Sequence, residues 1–307
     1  MHRFRNILFS PLADRDNPAA VRRIADLAAR NNAKLTLFGA TPEPSRLQRV
    51  IHRSDYLDEI QAAETKAMAA KLARCSPKDG DVDTEIKTTA GNPSLRIIEQ
   101  VLAAGHDLVV VTTDEDDEDH ATINRLLRKC PCPVWVIRPT RARIQRVMAA
   151  VNPDPSEEEL NRTIVQLAAS MVGLHGGELH LVHAWELYGE ETMRHSAFMY
   201  TPPDELESLL HDEEASHRAA LDELLSDADL ADEPWQLHLL KGPAAALVPE
   251  VVKKRRINLL VMGTVARTGV SGLLIGNTAE SVLDDVCCSV IAVKPPDFVS
   301  PIQLAPE

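Results

Sequence analysis

No stretch of this chain approaches the ~18–20 consecutive apolar residues that a membrane-spanning helix needs. The opening residues, Met1-His2-Arg3-Phe4-Arg5-Asn6-Ile7-Leu8-Phe9-Ser10, hold too short an apolar run for a signal peptide. Cysteine is scarce: five in 307 residues, an odd number in a long chain, which argues against a disulfide framework. Together these absences set a cytoplasmic, reduced protein with no membrane span as the expectation. Positive charge is short too. With 33 Lys and Arg against 46 Asp and Glu the net charge is −13, and such a surface repels phosphate backbones, which excludes a sequence-independent nucleic-acid binder. Neither a Walker A loop nor a Gly-x-Gly-x-x-Gly fingerprint is present, so a P-loop ATPase and a dinucleotide dehydrogenase lose support. A Gly-x-Ser-x-Gly elbow and a His-Glu-x-x-His motif are likewise missing. No catalytic residue and no metal ligand is assigned.

What is there is a sequence written twice. Four strand-like segments recur in order: 6–11 answers to 147–152, 34–40 to 178–184, 107–111 to 258–262 and 132–139 to 288–295. The offsets between these pairs, 141, 144, 151 and 156, only grow, so the second copy carries loop insertions and no reshuffling. Continuously apolar segments such as Leu108 to Val111 and Leu259 to Met262 suit strands covered on both faces.

Between the strands the period becomes helical. Leu160, Ile164, Leu167, Ala168 and Met171 share one face, with Ser156 and Glu159 in a capping-box pattern before them. In the first copy Asn17-Pro18 reads as cap and first turn, with Val21, Ile24, Ala25 and Ala28 facing inward. A third pattern carries Leu206, Leu209, Leu210, Leu221 and Leu224. Alternating strands and helices imply a parallel α/β sheet in each half. The domains are expected at 1–140 and 146–297, with a tail at 298–307 and a short arginine-rich linker at the join.

In such sheets ligands sit beyond the carboxyl ends of the strands, where strand order reverses. The segment after the fourth strand of the second copy runs Gly263-Thr264-Val265-Ala266-Arg267-Thr268-Gly269 and continues to Gly276-Asn277-Thr278-Ala279-Glu280. Glycines let backbone N–H groups approach phosphate oxygens, and a helix starting near Asn277 adds further donors. Asn277 followed by Glu280 also reads as an ordinary helix N-cap.

This layout, with Leu126-Leu127-Arg128-Lys129-Cys130-Pro131 in the first half, resembles the universal stress protein family, in particular its tandem E-type members. The resemblance implies two Rossmann-like domains of the adenine nucleotide alpha hydrolase-like kind, each a five-stranded parallel sheet flanked by helices. Family members that bind ATP carry Gly-x2-Gly-x9-Gly-(Ser/Thr), and the matching positions are Gly263, Ala266, Gly276 and Asn277. By the same carry-over Ala150, Val151, Asn152 and Ala184 line the adenine and ribose end, and Gly263, Gly276, Asn277 and Thr278 lie at the phosphates, with Ala266 and Arg267 as further nucleotide-binding candidates. Three positions depart from the family pattern: Ala266 for glycine, Asn277 for a hydroxyl residue, and Asn152 for the aspartate after the first strand. The implied role is a non-catalytic stress-response regulator linked to stress resistance, motility or adhesion, with an ATP-type pocket in the second domain only. Two alternatives stay open: an apolar or lipid-like ligand lined by Leu273, Leu274 and Ile275 with Phe198, Met199 and Tyr200, and slow ATP hydrolysis. Single-domain relatives pair through their last strands, so a monomer with pseudo-two-fold symmetry and a homodimer are both consistent with the sequence. Protein partners are not indicated beyond this.

The first copy offers a different edge. Its fourth strand is followed by Thr112-Thr113-Asp114-Glu115-Asp116-Asp117-Glu118-Asp119, whose carboxylates oppose a polyanion. A solvated acidic loop is the favoured reading there, over a divalent cation site. Cys130-Pro131-Cys132 lacks the two-residue spacer of zinc or thioredoxin-like pairs, so Cys130, Cys132, Cys287 and Cys288 read as small buried hydrophobes. His183 reads as facing the pocket or as a satisfied core histidine, and His211 and His217 as part of a solvated helix face.

Overall fold

The computed structural model describes residues 4–12, 17–51, 54–77, 82–113, 120–139, 144–226, 235–264 and 276–304. The first repeat runs β1 (Asn6–Pro11), α1 (Pro18–Asn31), β2 (Lys34–Thr41), α2 (Arg46–Ile51), α3 (Ser54–Arg74), β3 (Thr84–Ala90), α4 (Pro93–Ala104), β4 (Leu108–Thr112), α5 (His120–Lys129) and β5 (Val134–Ile137). The second runs β6 (Arg146–Ala150), α6 (Glu158–His175), β7 (Glu178–Trp185), α7 (Glu190–His195), α8 (Pro203–Ser226), β8 (Trp235–Lys241), α9 (Ala244–Arg255), β9 (Leu259–Gly263), α10 (Asn277–Asp285) and β10 (Ser289–Val293).

The chain forms two compact units. The first has strand order β3-β2-β1-β4-β5-β10, with the five strands of the first repeat mutually parallel and β10 antiparallel to β5. The second has order β9-β6-β7-β8, all parallel. The last strand of the second repeat thus belongs to the first unit, where Val290, Ile291 and Ala292 face Val136, Trp135 and Val134. Every residue of β4, β5 and β10 is buried, as continuous apolar runs require. In the same unit Lys294 Nζ donates to the Leu127 carbonyl and Ser300 Oγ to the Lys129 carbonyl (2.8 Å), so two of the orphan carbonyls at the end of α5 are capped. Lys294 lies 4.7 Å over the Phe298 ring, and burial pulls its ammonium down to about 8.

The duplication recurs in detail. Before β4, Asp107 accepts the backbone N–H groups of Arg5 and Asn6 (2.6 and 3.0 Å). Before β9, Asn258 Oδ1 accepts those of Gln145 and Arg146 (2.9 and 3.0 Å). One side chain in each copy therefore ties the start of the central strand to its neighbour. Asn17 caps α1 by accepting from Ala20 N–H at 3.0 Å, with Pro18 at the first helical position.

Two cap assignments differ from the sequence reading. Asp154, not Ser156, caps the entry to the sixth helix: it accepts from Ser156 N–H at 2.9 Å over a 3-10 turn, Pro155–Glu157, and α6 starts at Glu158. The intervening Pro155 fits the first position of that turn, which moves the cap two residues upstream. At the tenth helix the N-cap is Gly276, not Asn277. Cys287 is exposed, unlike Cys130, Cys132 and Cys288. On α8 the apolar stripe slips: Leu206, Leu221, Leu224 and Leu225 are buried, while Leu209 is exposed.

Candidate functional site

Strand order in the second unit reverses between β6 and β9, which are direct neighbours: Ala150 pairs with Met262. On its other side β6 meets β7, with Ala150 opposite Val182. The carboxyl ends of the three strands thereby bring Ala150, Val151, Asn152, Ala184 and Gly263 to one edge of the sheet. The Gly276 N–H donates to the Thr264 carbonyl at 3.2 Å, which pins the start of α10 to the end of β9 and adds Gly276, Asn277 and Thr278 to that edge. Ala266 and Arg267 lie outside the described residues, as do Leu273, Leu274, Ile275 and the acidic run 114–119.

Each assembled residue has a local reason for its place. A Cβ on Gly263 would stand 3.1 Å from Leu160 Cδ2 and 3.7 Å from Ile164 Cδ1, so a side chain here would need Leu160 of α6 to give way slightly, whatever binds at the edge. Asn152 is wired into its own chain. Its N–H donates to Asn161 Oδ1 (3.0 Å), its carbonyl accepts from Asn161 Nδ2, and its side-chain Nδ2 donates to Glu157 Oε2 (3.1 Å). Asn161, on the buried face of α6, is nearly inaccessible. Where an aspartate would repel Glu157, an asparagine can donate to it, so the departure at position 152 has a physical partner. The side-chain oxygen of Asn152 keeps its acceptor capacity.

Gly276 has φ −62° and ψ 139°, an extended conformation open to any residue, and it has no side chain to cap the helix. Glu280 N–H already bonds to the Gly276 carbonyl (2.9 Å). The N–H groups of the first turn of α10 have no intrahelical acceptors, and Asn277 and Thr278 are exposed beside them. This is the part of the edge that suits an anion.

The β7 side of the edge holds two histidines that meet. His183 Nδ1 lies 3.0 Å from the Val151 carbonyl, and its Nε2 lies 3.0 Å from His217 Nδ1 on α8. Trp185 stacks on His217 with centroids 5.8 Å apart, and Glu213, one turn earlier, lies 3.4 Å from His217 Nε2. A carbonyl only accepts, so His183 Nδ1 carries the proton there. His217, expected on a solvated face, was legible after all: Leu206, Leu210, Glu213, His217, Leu221 and Leu224 follow steps of three and four, the inward stripe of α8.

The opposite face of β7 holds a second pair. His180 Nδ1 lies 3.0 Å from His238 Nε2 on β8, with the rings stacked at 5.3 Å. Burial, then the neighbouring His180 and Arg255, pulls His238 down to about 4, and burial lowers His180 as well. Both rings are neutral near pH 7. Phe198 and Tyr200, expected as an apolar lining, are instead exposed to solvent at 102% and 85%. Among the described residues no group of three or more His, Cys, Asp or Glu side chains converges as a metal site, and no helix is long and apolar enough to cross a membrane.

Comparison with known proteins gives this geometry a context. A family model described as the universal stress protein family matches residues 4–138 and 143–294. Universal stress protein E of Photorhabdus laumondii is 26% identical over 322 residues, spanning the whole of both chains. Universal stress protein E of Escherichia coli strain K12 is 27% identical over 241 residues, 74% of this chain and 73% of that one. A solved structure of a functionally unknown protein from Pseudomonas aeruginosa PAO1 is 26% identical and superposes with a TM-score of 0.69, covering 96% of this chain and 94% of that one.

Proposed function

We propose, from the premise that this chain belongs to the universal stress protein family as a tandem E-type member, that it is a non-catalytic, cytoplasmic stress-response regulator whose ligand site lies in the second domain. The ligand we assign is an adenine nucleotide of the ATP type, with its phosphates at the start of α10 and its base toward Val151 and Ala184. The observation that carries this reading is the join between Gly276 and Thr264. It sets a helix start without a side-chain cap beside the ends of β6 and β9, where the sheet reverses.

A non-catalytic role is supported by the way the polar groups at this edge bond to one another. The facing nitrogens of His183 and His217 are engaged with each other, and the Asn152 amide is engaged by Glu157. The site then works by selecting a state of the protein, and the surface that state exposes carries the signal. The acidic run in the first domain supports one site per chain rather than two.

The test is mass spectrometry of small molecules released from freshly purified protein, together with melting in ATP and magnesium. A ligand at about 100 times its Kd stabilises by about 2.7 kcal/mol and raises the melting point by a few degrees. Recovered adenine nucleotide near one per chain with that shift supports the reading. A clean extract with an unmoved melting point removes it, and a lipid in the extract replaces it with the apolar-ligand reading.

A further inference from the structure

Within the second unit two imidazole rings face each other, and each has an acceptor at its outer nitrogen. His183 Nε2 and His217 Nδ1 lie 3.0 Å apart, with the ring centroids separated by 4.9 Å and the planes tilted by 41°. On the outer side the Val151 carbonyl stands 3.0 Å from His183 Nδ1, and Glu213 Oε1 stands 3.4 Å from His217 Nε2. His183 comes from β7, His217 and Glu213 from α8, and Val151 directly follows β6.

A neutral imidazole carries one proton on one of its two nitrogens. The Val151 carbonyl holds that of His183 on Nδ1, so the Nε2 lone pair points at His217. His217 has two places for its own proton. On Nδ1 the proton bridges the two rings. On Nε2 it faces the Glu213 carboxylate and leaves a second lone pair turned toward the first. Two lone pairs so close repel each other unless a cation stands between them. A metal ion therefore selects the second tautomer, and Glu213 is placed to accept its N–H.

Histidines that ligate metals have this outer arrangement: the distal ring N–H donates to a carbonyl or carboxylate, which fixes both tautomer and ring orientation. The spacing also fits. Two nitrogens at about 2.0–2.1 Å from a zinc ion stand about 3.3 Å apart at the tetrahedral angle and about 3.0 Å apart near a right angle. His183 is buried, whereas the His217 side chain is 27% exposed, so an ion enters from the α8 side. Helix α8 holds eight carboxylates against one arginine, a field that draws cations toward it. Trp185, stacked on His217, holds the plane of the entry ring.

We infer that His183 Nε2 and His217 Nδ1 bind one exchangeable transition-metal ion of the zinc class, with water in its remaining positions. On binding, the His217 proton moves from Nδ1 to Nε2 and the two freed lone pairs form the metal bonds, so the neutral pair neither gains nor loses a proton. Imidazole donors suit zinc and copper, whereas Mg²⁺ takes oxygen donors. Two protein ligands are fewer than the four of a structural zinc site, so the ion comes and goes while β7 and α8 stay in place. The site needs no nucleotide and stands apart from that reading.

The experiment is titration of the full chain, without an affinity tag and freed of metal by a chelator, with Zn²⁺ at about pH 7.5. Heat is recorded by calorimetry, and the histidines are followed by ¹⁵N NMR. One Zn²⁺ per chain is expected, with large shifts at His183 Nε2 and His217 Nδ1 while protons remain on His183 Nδ1 and His217 Nε2. His217→Ala is expected to weaken binding about a hundredfold and Glu213→Ala about tenfold, each with its urea midpoint measured alongside. Mg²⁺ is expected to give no heat. Any of four results overturns the proposal: no Zn²⁺ bound at about 100 µM, unchanged affinity in His217→Ala, a proton still held between the two rings in saturating Zn²⁺, or binding lost in His238→Gln instead, which moves the ion to the opposite face of β7.

Discussion

Position 39 in the first repeat and position 183 in the second occupy the same place on the second strand, and they are solved in opposite ways. Gly39 has no side chain, and a Cβ there would stand 2.4 Å from Met68 Cγ and 3.2 Å from Leu72 Cδ1. Helix α3 therefore presses apolar side chains directly onto β2. At the equivalent point His183 fills the space and meets His217 of α8 through a hydrogen bond of 3.0 Å. One fold position thus holds a dry apolar contact in one copy and a polar, titratable one in the other. In the sequence the fourth strand of the first copy runs into six carboxylates, while in the second copy β7 brings His183 to the edge that β9 and the start of α10 share.

The comparison breaks most sharply at Gly39. Gly39→Val is expected to destabilise the first domain by about 3 kcal/mol through overpacking against Met68, read as the urea midpoint; a cost below about 0.5 kcal/mol would show that α3 adjusts freely. Asn161→Ala removes both bonds to the Asn152 backbone and leaves buried polar groups without partners. It is expected to cost about 2 kcal/mol, with faster amide exchange confined to the turn at 151–157, and unchanged exchange there would show that Asn161 does not hold the edge.

Acid sharpens the same contrast. His238 titrates at about 4 in the folded chain against an ordinary 6.5, so between those values the unfolded chain binds more protons and stability is lost as pH falls from 6.5 toward 4. After discounting for solvent screening and for its coupling to His180, the loss from this ring is about 1–2 kcal/mol. His238→Gln flattens that part of the pH profile, and a profile of unchanged slope would remove the buried pair as its cause. The smallest effect is expected at the repeated tie. Asp107→Ala and Asn258→Ala each lose two backbone acceptor bonds and cost about 1 kcal/mol, and unequal costs would show that the two copies depend on this tie differently.

Much of this architecture was legible because burial on both faces leaves continuous apolar strands, and duplication lets each copy check the other. The Asn17 cap and the inward face of α6 were readable from local chemistry alone. Helix starts at Ser156 and Asn277 were misplaced by one or two residues, because Asp154 and Gly276 satisfy the same role from outside the expected pattern. The His183 and His217 contact joins residues 34 apart, and no spacing rule on either element alone announces it. Asn152 looked like a lost ligand, yet its partners Glu157 and Asn161 give that side chain a structural task which only the fold brings into view.

Titration of the full chain with ATP and magnesium by calorimetry, beside Gly276→Val, tests the central claim most directly. The φ and ψ of Gly276 are open to a β-branched residue, and because valine is a poorer N-cap than glycine the urea midpoint of the variant is measured beside its binding, to separate a folded chain that no longer binds from an unfolded one. One nucleotide bound per unmodified chain, and none per variant, is the expected result. No binding, two sites per chain, or equal affinity in the variant would contradict the assignment of a single nucleotide site to the second domain.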